Sequence, residues 1–372
     1  MKIGILGGGQ LGRMFIQNAL NYGAEINILD PDINCPCSKI CNEFTQGNLL
    51  DFDTVFSFGK NQDIISIEIE HVNIEALKEL KKLNKKIIPD PFILEIIQDK
   101  GLQKKFFLAN NIPTAPFSLI QYSSEIHNHI ELLPAFQKVR KGGYDGKGVI
   151  KIESIKDIDL AFEEKSVLEK MADVNKEISI IVVKNDFETL TFPIVEMVVN
   201  EKLNQLDYLI SPSSIDYDSI EQAEEIAKNV ANALNSPGIF AIEMFYNNDK
   251  TIWVNEIAPR VHNSGHATIE GNITSQFDQM FRVLMNYPLG KTNAKNISAI
   301  VNLVGEEGYN GLVYYKGIEK VLEIPNTYIH LYGKNITKPG RKMGHITLIG
   351  KNVDDLIETI KFIKENFKVI SK

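Results

Sequence analysis

Phe240-Ala-Ile-Glu-Met-Phe-Tyr-Asn-Asn-Asp-Lys-Thr-Ile-Trp-Val-Asn-Glu256 sets two apolar runs on either side of Asn247-Asn-Asp-Lys250. Aromatic and β-branched runs flanking an Asn- and Asp-rich stretch read as an antiparallel hairpin, 240–246 against 251–256. A turn over 248–251 places Glu243 directly opposite Glu256. Opposed Cβ atoms lie roughly 4.5–5.5 Å apart, where like charges repel. Two carboxylates at that separation need a shared proton or a bound cation. Carboxylate oxygens completed by phosphate and water oxygens suit Mg2+. A register off by one residue, or two solvated surface charges, is the bland alternative; the apolar neighbours Phe240, Ile242, Trp253, Val254 and Ile257 make solvation harder.

Upstream, Lys138-Val-Arg-Lys-Gly-Gly-Tyr-Asp-Gly-Lys-Gly148 packs four glycines and four cations into eleven residues. Such a loop can close over phosphates, offering backbone N–H groups and Lys or Arg charge. It lacks the G-x-x-x-x-G-K-[ST] pattern, and strands flank it on both sides. A mobile hairpin with a solvated basic tip is the bland reading. Beside a paired-carboxylate hairpin it points instead to a nucleotide. Glu169–Ala172 closes an apolar strand and Glu177 opens the next, so a backbone edge there could read adenine and a carboxylate could hold ribose hydroxyls.

The flanking regions read differently. Lys2–Leu6, 25–29 and 63–67 are apolar runs separated by helical patterns over 10–21 and 74–83, a βαβ rhythm that implies a mostly parallel sheet in about the first hundred residues. Gly7, Gly9 and Gly12 spell G-x-G-x-x-G after the first strand, and Asp30 ends the second. That is a dinucleotide fingerprint by spacing, another ligand's loop, or a plain tight turn. After Asp99, two short helices and the Pro113–Pro116 break lead into an α+β region with strands near 117–120, 135–140, 149–152, 167–170, 177–183 and 190–199, then a helix over 219–234. From about Pro288 a small β-rich tail follows, closed by a helix over 353–367.

At 372 residues, two or three domains are expected. A net charge of −8 and a pI near 5.5 argue against nucleic-acid or anionic-membrane partners. No run is long and apolar enough to span a bilayer, and residues 1–6 do not read as a signal peptide. Cys35, Cys37 and Cys41 form an odd set without a fourth zinc ligand nearby, so free thiols of a cytoplasmic protein are expected.

Four blocks together carry a resemblance. They are Gly7-Gly-Gly-Gln-Leu-Gly-Arg-Met14, Gly142-Gly-Tyr-Asp-Gly-Lys-Gly148, Asn255-Glu-Ile-Ala-Pro-Arg-Val-His-Asn-Ser-Gly-His266 and Lys338-Pro-Gly-Arg-Lys-Met-Gly-His345. In this order the chain resembles the 5-(carboxyamino)imidazole ribonucleotide synthetase family, ATP-grasp ligases of purine biosynthesis. The resemblance implies an ATP-grasp fold in an α/β and α+β multidomain chain: a Rossmann-like (preATP-grasp) parallel-sheet domain at 1–100, the ATP-grasp domain at 101–288 and a small C-terminal β-rich domain at 289–372. It implies ATP, bicarbonate and 5-aminoimidazole ribonucleotide as small-molecule partners, Mg2+ as cofactor, and a homodimer. Bicarbonate attacks the γ-phosphate to give carboxyphosphate, and the exocyclic amine then takes the carboxyl group.

Carried over by motif, Lys100 and Lys138 would contact the ATP phosphates, with Gly143, Tyr144, Asp145, Gly146, Lys147, Gly148 and Val149 as a lid. Glu169, Lys170, Met171 and Ala172 would hold adenine and Glu177 the ribose. Asn255 and Glu256 take the phosphate–metal end, with Glu243 as co-ligand. Arg260, His262 and Asn263 would face bicarbonate, and Tyr144 and Asp145 the amine, Asp145 as base or orienter. Gln10 and Leu11 would line the imidazole ribonucleotide site, and Lys334, Lys338 and Arg341 would take its 5′-phosphate. Under this reading the first glycine loop binds no NAD. Glu68 and Glu70 are not carried over by motif: they share one face at the C-terminal end of a strand, where α/β sheets bind ligands, and are candidates for ribose contacts or simply a solvated strand end. Two departures stand out: Val198, Val199 and Asn200 where relatives have a His, with Asn200 as a replacement, and Lys100 where many have Arg.

Overall fold

The computed structural model describes residues 1–143, 148–200, 202–203 and 205–372. Its first unit is a five-stranded, wholly parallel sheet in the order Glu43–Gln46, Glu25–Asp30, Lys2–Leu6, Ile64–Ile67, Lys86–Ile87. Apolar side chains alternate to both faces and are covered on both, as a parallel sheet requires. Ile3, Ile5, Ile26 and Ile28 pack with Phe15 and Ile16 of the helix Gln10–Ala19. Leu6, Leu29, Ile65 and Ile67 pack with Val55, Leu77 and Leu80 on the other face. The edge strand Glu43–Gln46 and the helix Phe52–Lys60 escape the sequence reading: the strand is short and polar, and the helix is announced chiefly by its Asp51 cap.

The glycine loop does not stand open as a dinucleotide site would. Gly8 N donates to Asp30 Oδ2 at 2.7 Å, so Asp30 ties down the loop. Cys37 N bonds Gly8 O at 3.1 Å, its Sγ lies 3.4 Å from Gly9 O, and a Cβ on Gly8 would sit 2.5 Å from Cys35 Sγ. The cysteine-bearing segment therefore packs onto the glycines where a pyrophosphate would have to lie. All three cysteines are free thiols, and burial pushes each thiol up.

A nine-stranded antiparallel sheet forms the body. Its order is Ile252–Ala258, Gly238–Asn247, Val174–Lys184, Val195–Asn200, Gln205–Ser211, Ile297–Val304, Lys342–Gly350, Thr327–Leu331, with Thr189–Thr191 pairing onto Val174–Lys184. Pairing of Gln205–Ser211 with Ile297–Val304 carries this sheet across residue 288. The expected strand at 190–199 is two strands, broken around Pro193, which has no N–H for the ladder. One of the two short helices expected after Asp99 lies before it, Pro91–Ile97, and the other is Lys100–Ala109. The strand Gln205–Ser211 and the helix Gln276–Met285 are further elements that the sequence reading passed over.

Helix Tyr217–Ala233 buries Ala223, Ala227 and Val230 against Ile178, Ile180, Phe240 and Ile242. A four-stranded antiparallel sheet, Phe117–Ile120, Ser166–Lys170, Ala135–Val139, Val149–Ile152, carries the basic glycine loop between its last two strands. The tail adds a small sheet of Ile336–Thr337, Gly311–Lys316 and Lys368–Ser371 and the helix Val353–Asn366. Among the described residues no helix is long and apolar enough to cross a membrane.

Candidate active site

Glu243 and Glu256 are direct partners across the hairpin. The route to that register differs from the sequence expectation. The turn closes at Asn247–Thr251, Asn247 N bonding Thr251 O at 2.9 Å, one position off the anticipated turn. A bulge at Asn255, between the pairs Met244–Val254 and Glu243–Glu256, restores the pairing. The bulge is itself functional geometry: it sends Asn255 Oδ1 to Lys138 Nζ at 3.1 Å. Burial first, then the neighbouring Glu256 and Glu177 carboxylates, push Glu243 well up. Glu256 shifts the other way. Burial acts to raise it, but the Lys100 and Lys138 ammoniums and Arg260 together outweigh that effect. Its side chain is still 47% exposed, so it is open toward the cleft and ringed by cations behind.

Two lysines approach this rung from different elements. Lys100 opens the helix Lys100–Ala109 and lies 3.3 Å from Glu256 Oε2. Asp99 caps that helix through Gly101 N and Leu102 N, and takes Arg140 in a two-point ion pair at 2.8 Å each. Arg140 thereby pins the root of the basic loop to the helix that carries Lys100. Lys138 bonds Glu169 Oε2 at 3.0 Å as well as Asn255. Glu169 is buried, and Lys138 and Lys104 hold its carboxyl below the usual range against the upward push of burial. Lys170 N and Met171 N are taken by Pro116 O and Pro134 O at 2.9 Å each, so Ala172 is the next backbone amide beyond those bonds. Glu177 lies on the strand Val174–Lys184; burial raises its carboxyl and Lys138 pulls it down. Gly143, Gly148 and Val149 frame the loop, with Gly148 at φ +74° and its carbonyl on Val139 N. Tyr144, Asp145, Gly146 and Lys147 lie outside the described residues.

The block after the hairpin turns back over the rung. His262 N and O are clamped by the two ends of the Gln276 amide, at 2.8 and 2.7 Å. A Cβ on Gly265 would lie 2.4 Å from Gln276 Oε1, so the clamp requires glycine there. Ser264 N donates to His262 Nδ1 at 3.3 Å, which leaves Nε2 facing Glu243 Oε1, 3.6 Å away. Burial, then the Arg260 and Lys342 charges, hold His262 neutral. Arg260 bonds Glu70 at 2.8 Å, while its Nε is buried without a partner among the described residues. Both amide atoms of Asn263 are likewise buried and unpartnered. His266 is buried and stacked on His345, ring centroids 4.5 Å apart.

Of the ribonucleotide candidates, Glu70 pairs with Arg260, whose charge also reaches Glu68, and Lys334 lies within reach of Glu68 and Arg341. Glu68 Oε1 accepts Leu11 N at 3.1 Å, so the carboxylate caps the helix that begins at Gln10. Burial lifts Glu68 to about 7 against the pull of Arg260. Lys334 donates to Lys342 O at 2.7 Å; burial and then Arg341 push its ammonium down to about 8. Arg341 Nη1 bonds Ile336 O at 2.7 Å, and Lys338 is exposed on the turn between them. Asn200 has a local task, its Oδ1 accepting Lys202 N and Leu203 N.

Three residues joined to the site went unnoticed in the sequence. Lys104 sits one turn beyond Lys100, a spacing that could have flagged it. Arg13 has its Nε buried without a partner, and its Nη1 lies 3.3 Å from where a Cβ on Gly333 would be, next to Lys334. Lys342 influences both Glu243 and His262.

Comparison with known proteins places these residues in context. Residues 1–98 match the ribonucleotide synthetase preATP-grasp domain, 105–277 the ATP-grasp domain and 298–359 the phosphoribosylaminoimidazole carboxylase C-terminal domain. An N5-carboxyaminoimidazole ribonucleotide synthase of Staphylococcus epidermidis is 34% identical over 98% of this chain and 96% of its own. The crystal structure of the Thermotoga maritima N5-carboxyaminoimidazole ribonucleotide synthetase superposes with a TM-score of 0.93 at 39% identity, covering 100% of this chain and 99% of that one. An Aspergillus clavatus synthase in complex with ADP and 5-aminoimidazole ribonucleotide gives 0.88 at 32% identity, covering 97% and 99%.

Proposed function

The chain belongs to the N5-carboxyaminoimidazole ribonucleotide synthetase family, and from that premise we propose that it uses ATP to join bicarbonate to the exocyclic amine of 5-aminoimidazole ribonucleotide in purine biosynthesis. The observation that carries the reading is the Glu243–Glu256 rung, with Lys100 and Lys138 on one side and Arg260 and His262 on the other. One end is built for a polyphosphate and the other for a small anion next to it.

In the first step a bicarbonate oxygen attacks the γ-phosphorus, the bond to ADP breaks and carboxyphosphate forms. In the second the amine nitrogen bonds the carboxyl carbon, directly or after CO2 is released; phosphate leaves and the amine gives up a proton. Phosphoryl transfer of this kind needs positioning and positive charge more than covalent catalysis. Lys100 and Lys138 supply charge to the phosphates, and Arg260 with neutral His262 binds and orients bicarbonate. Asn263, with its amide buried and unpartnered, serves the same anion. Tyr144 and Asp145 present the amine. Ala172 and its neighbours Glu169, Lys170 and Met171 face adenine, Glu177 the ribose, and Gly143–Val149 cover the phosphates.

The donor set fits Mg2+: two carboxylates share a rung, and their mutual repulsion is what a divalent cation relieves. Among the described residues no group of three His, Cys, Asp or Glu stands together, and phosphate and water oxygens would complete the set. Glu243 and Glu256 would hold the ion, which when bound supplies positive charge against the phosphoryl oxygens.

At the other end Gln10, Leu11, Glu68 and Glu70 take the imidazole ribonucleoside, and Lys334, Lys338 and Arg341 its 5′-phosphate. We propose the division 1–100, 101–288 and 289–372 as domains, a homodimer, and the cytoplasm as compartment, which suits three free thiols. The test is ADP release with and without 5-aminoimidazole ribonucleotide and bicarbonate. Stimulation by both is expected, and Glu256→Gln should abolish it; near-normal rates in that variant would remove the metal assignment.

A further inference from the structure

The helix Lys100–Ala109 carries a second lysine at the site, Lys104, whose side chain is 3% exposed. Its Nζ donates to Thr114 Oγ1 at 2.6 Å, and Thr114 Oγ1 donates to Val254 O at 2.7 Å. The same Nζ lies 3.3 Å from Glu169 Oε2, the oxygen that already receives Lys138 Nζ at 3.0 Å. Two ammoniums therefore converge on one oxygen of a carboxylate that is itself 5% exposed. The Phe107 and Phe117 rings stand 5.7 and 5.9 Å from Lys104 Nζ.

A buried ammonium is costly unless something compensates it. Pairing Lys138 with Glu169 would satisfy both groups without a second cation. That pair, however, sums to zero charge, and Lys138 is the one member open to the cleft, with 16% of its side chain exposed. Adding Lys104 leaves one positive charge in the triad, and the nearly closed Lys104 can present it only through Lys138.

We propose that Lys104 is a positioning residue for ATP: it takes up the charge of Glu169, so that Lys138 offers net positive charge to the nucleotide phosphates. The inference rests on the ATP-site reading above. Burial pushes the Lys104 ammonium down to about 8, against the pull of Glu169, so it stays charged at neutral pH.

The experiment titrates full-length wild type, Lys104→Met and the double variant Lys104→Met/Glu169→Gln with MgATP by calorimetry, alongside steady-state kinetics and thermal melts. Loss of one nearby charge should weaken MgATP binding about tenfold or more in Lys104→Met. At saturating ATP, kcat should change far less. Removing the carboxylate charge as well should return at least threefold of the lost affinity, because the triad regains its positive charge.

A lysine that merely braced Thr114 and Val254 would leave the double variant no better than the single one, and that result overturns the proposal. So does wild-type affinity in Lys104→Met. If Lys104→Met does not fold, Lys104→Gln keeps a donor for Thr114 without the charge and is read the same way. Failure of the wild type to bind MgATP would instead remove the ATP-site reading, and this inference with it.

Discussion

At the end of the cleft proposed for the nucleotide, Glu243, Asn255 and Glu256 come from the two arms of one hairpin; at the end proposed for the ribonucleotide, Glu68, Glu70 with its partner Arg260, and Lys334 come from segments scattered over most of the chain. The first is set by local pairing, in which register and one bulge decide which side chains oppose each other. The second exists only once the parallel sheet, the turn after the hairpin and the tail have all packed. Their electrostatics differ accordingly. The hairpin holds unlike shifts on two neighbouring carboxylates, Glu243 up and Glu256 down, where the cation is proposed. The other end pairs its acid with Arg260 and keeps Lys334, lowered to about 8 yet still charged at neutral pH, for the anion proposed there.

The comparison implies that damage at the two ends is felt differently. Glu256→Gln should have the largest effect, lowering kcat on the order of 10³-fold, since it removes a carboxylate that would hold the cation against the transferring phosphoryl group. Single-turnover ADP formation measures this. Arg341→Ala should instead raise the KM for the ribonucleotide, roughly ten- to a hundredfold, with kcat nearly kept. A fall in kcat with unchanged KM would place Arg341 with the chemistry and erase the distinction between the ends.

The same contrast explains what could be read in advance. The opposition of Glu243 and Glu256 was legible because a hairpin is short-range information, although two departures cancelled: the turn is one position off and the Asn255 bulge corrects it. The parallel first sheet was legible from its apolar runs. The edge strand Glu43–Gln46 was not, since a polar edge strand carries almost no periodic signal. Gln205–Ser211, a strand of the large sheet, was hidden by its mixed polar composition. No spacing reveals that Glu70 meets Arg260: Glu70 is named from the end of its strand and Arg260 from the resemblance, for different ligands, and Arg13 is given no role. Lys104 needed the buried geometry, because a lysine on a helix is ordinarily a solvated one.

A smaller effect sharpens the anionic end. Burial, then Arg341, hold Lys334 down to about 8 in the free protein. Below that pH its ammonium is present for the 5′-phosphate contact proposed for it; as pH rises through it the charge is lost. The value of kcat/KM for the ribonucleotide should therefore fall above pH 8, by at most about tenfold between pH 7 and 9. The limb should be absent from kcat, because bound phosphate keeps the lysine charged. Lys334→Arg should remove the limb, the guanidinium remaining charged throughout. A limb that survives this substitution belongs to another group.

The smallest effect concerns stability at the cationic end. Burial and then Glu256 raise Glu243 well above its ordinary value of 4.5, so its ionisation opposes folding in the ligand-free protein. The sign follows: the cost is absent below the unfolded value, grows as pH rises through it, and is complete above the folded value. Glutamine has the same shape and no charge at any pH. Ligand-free Glu243→Gln should thus melt above wild type at pH 8, by about 2–5 °C, with the difference closing toward pH 4. MgATP should then stabilise wild type more than the variant, since only wild type has the second carboxylate to give a cation. A variant that melts lower than wild type at pH 8 without ligand would mean that Glu243 is paired in the ligand-free protein, and the hairpin would lose its standing as a cation clamp.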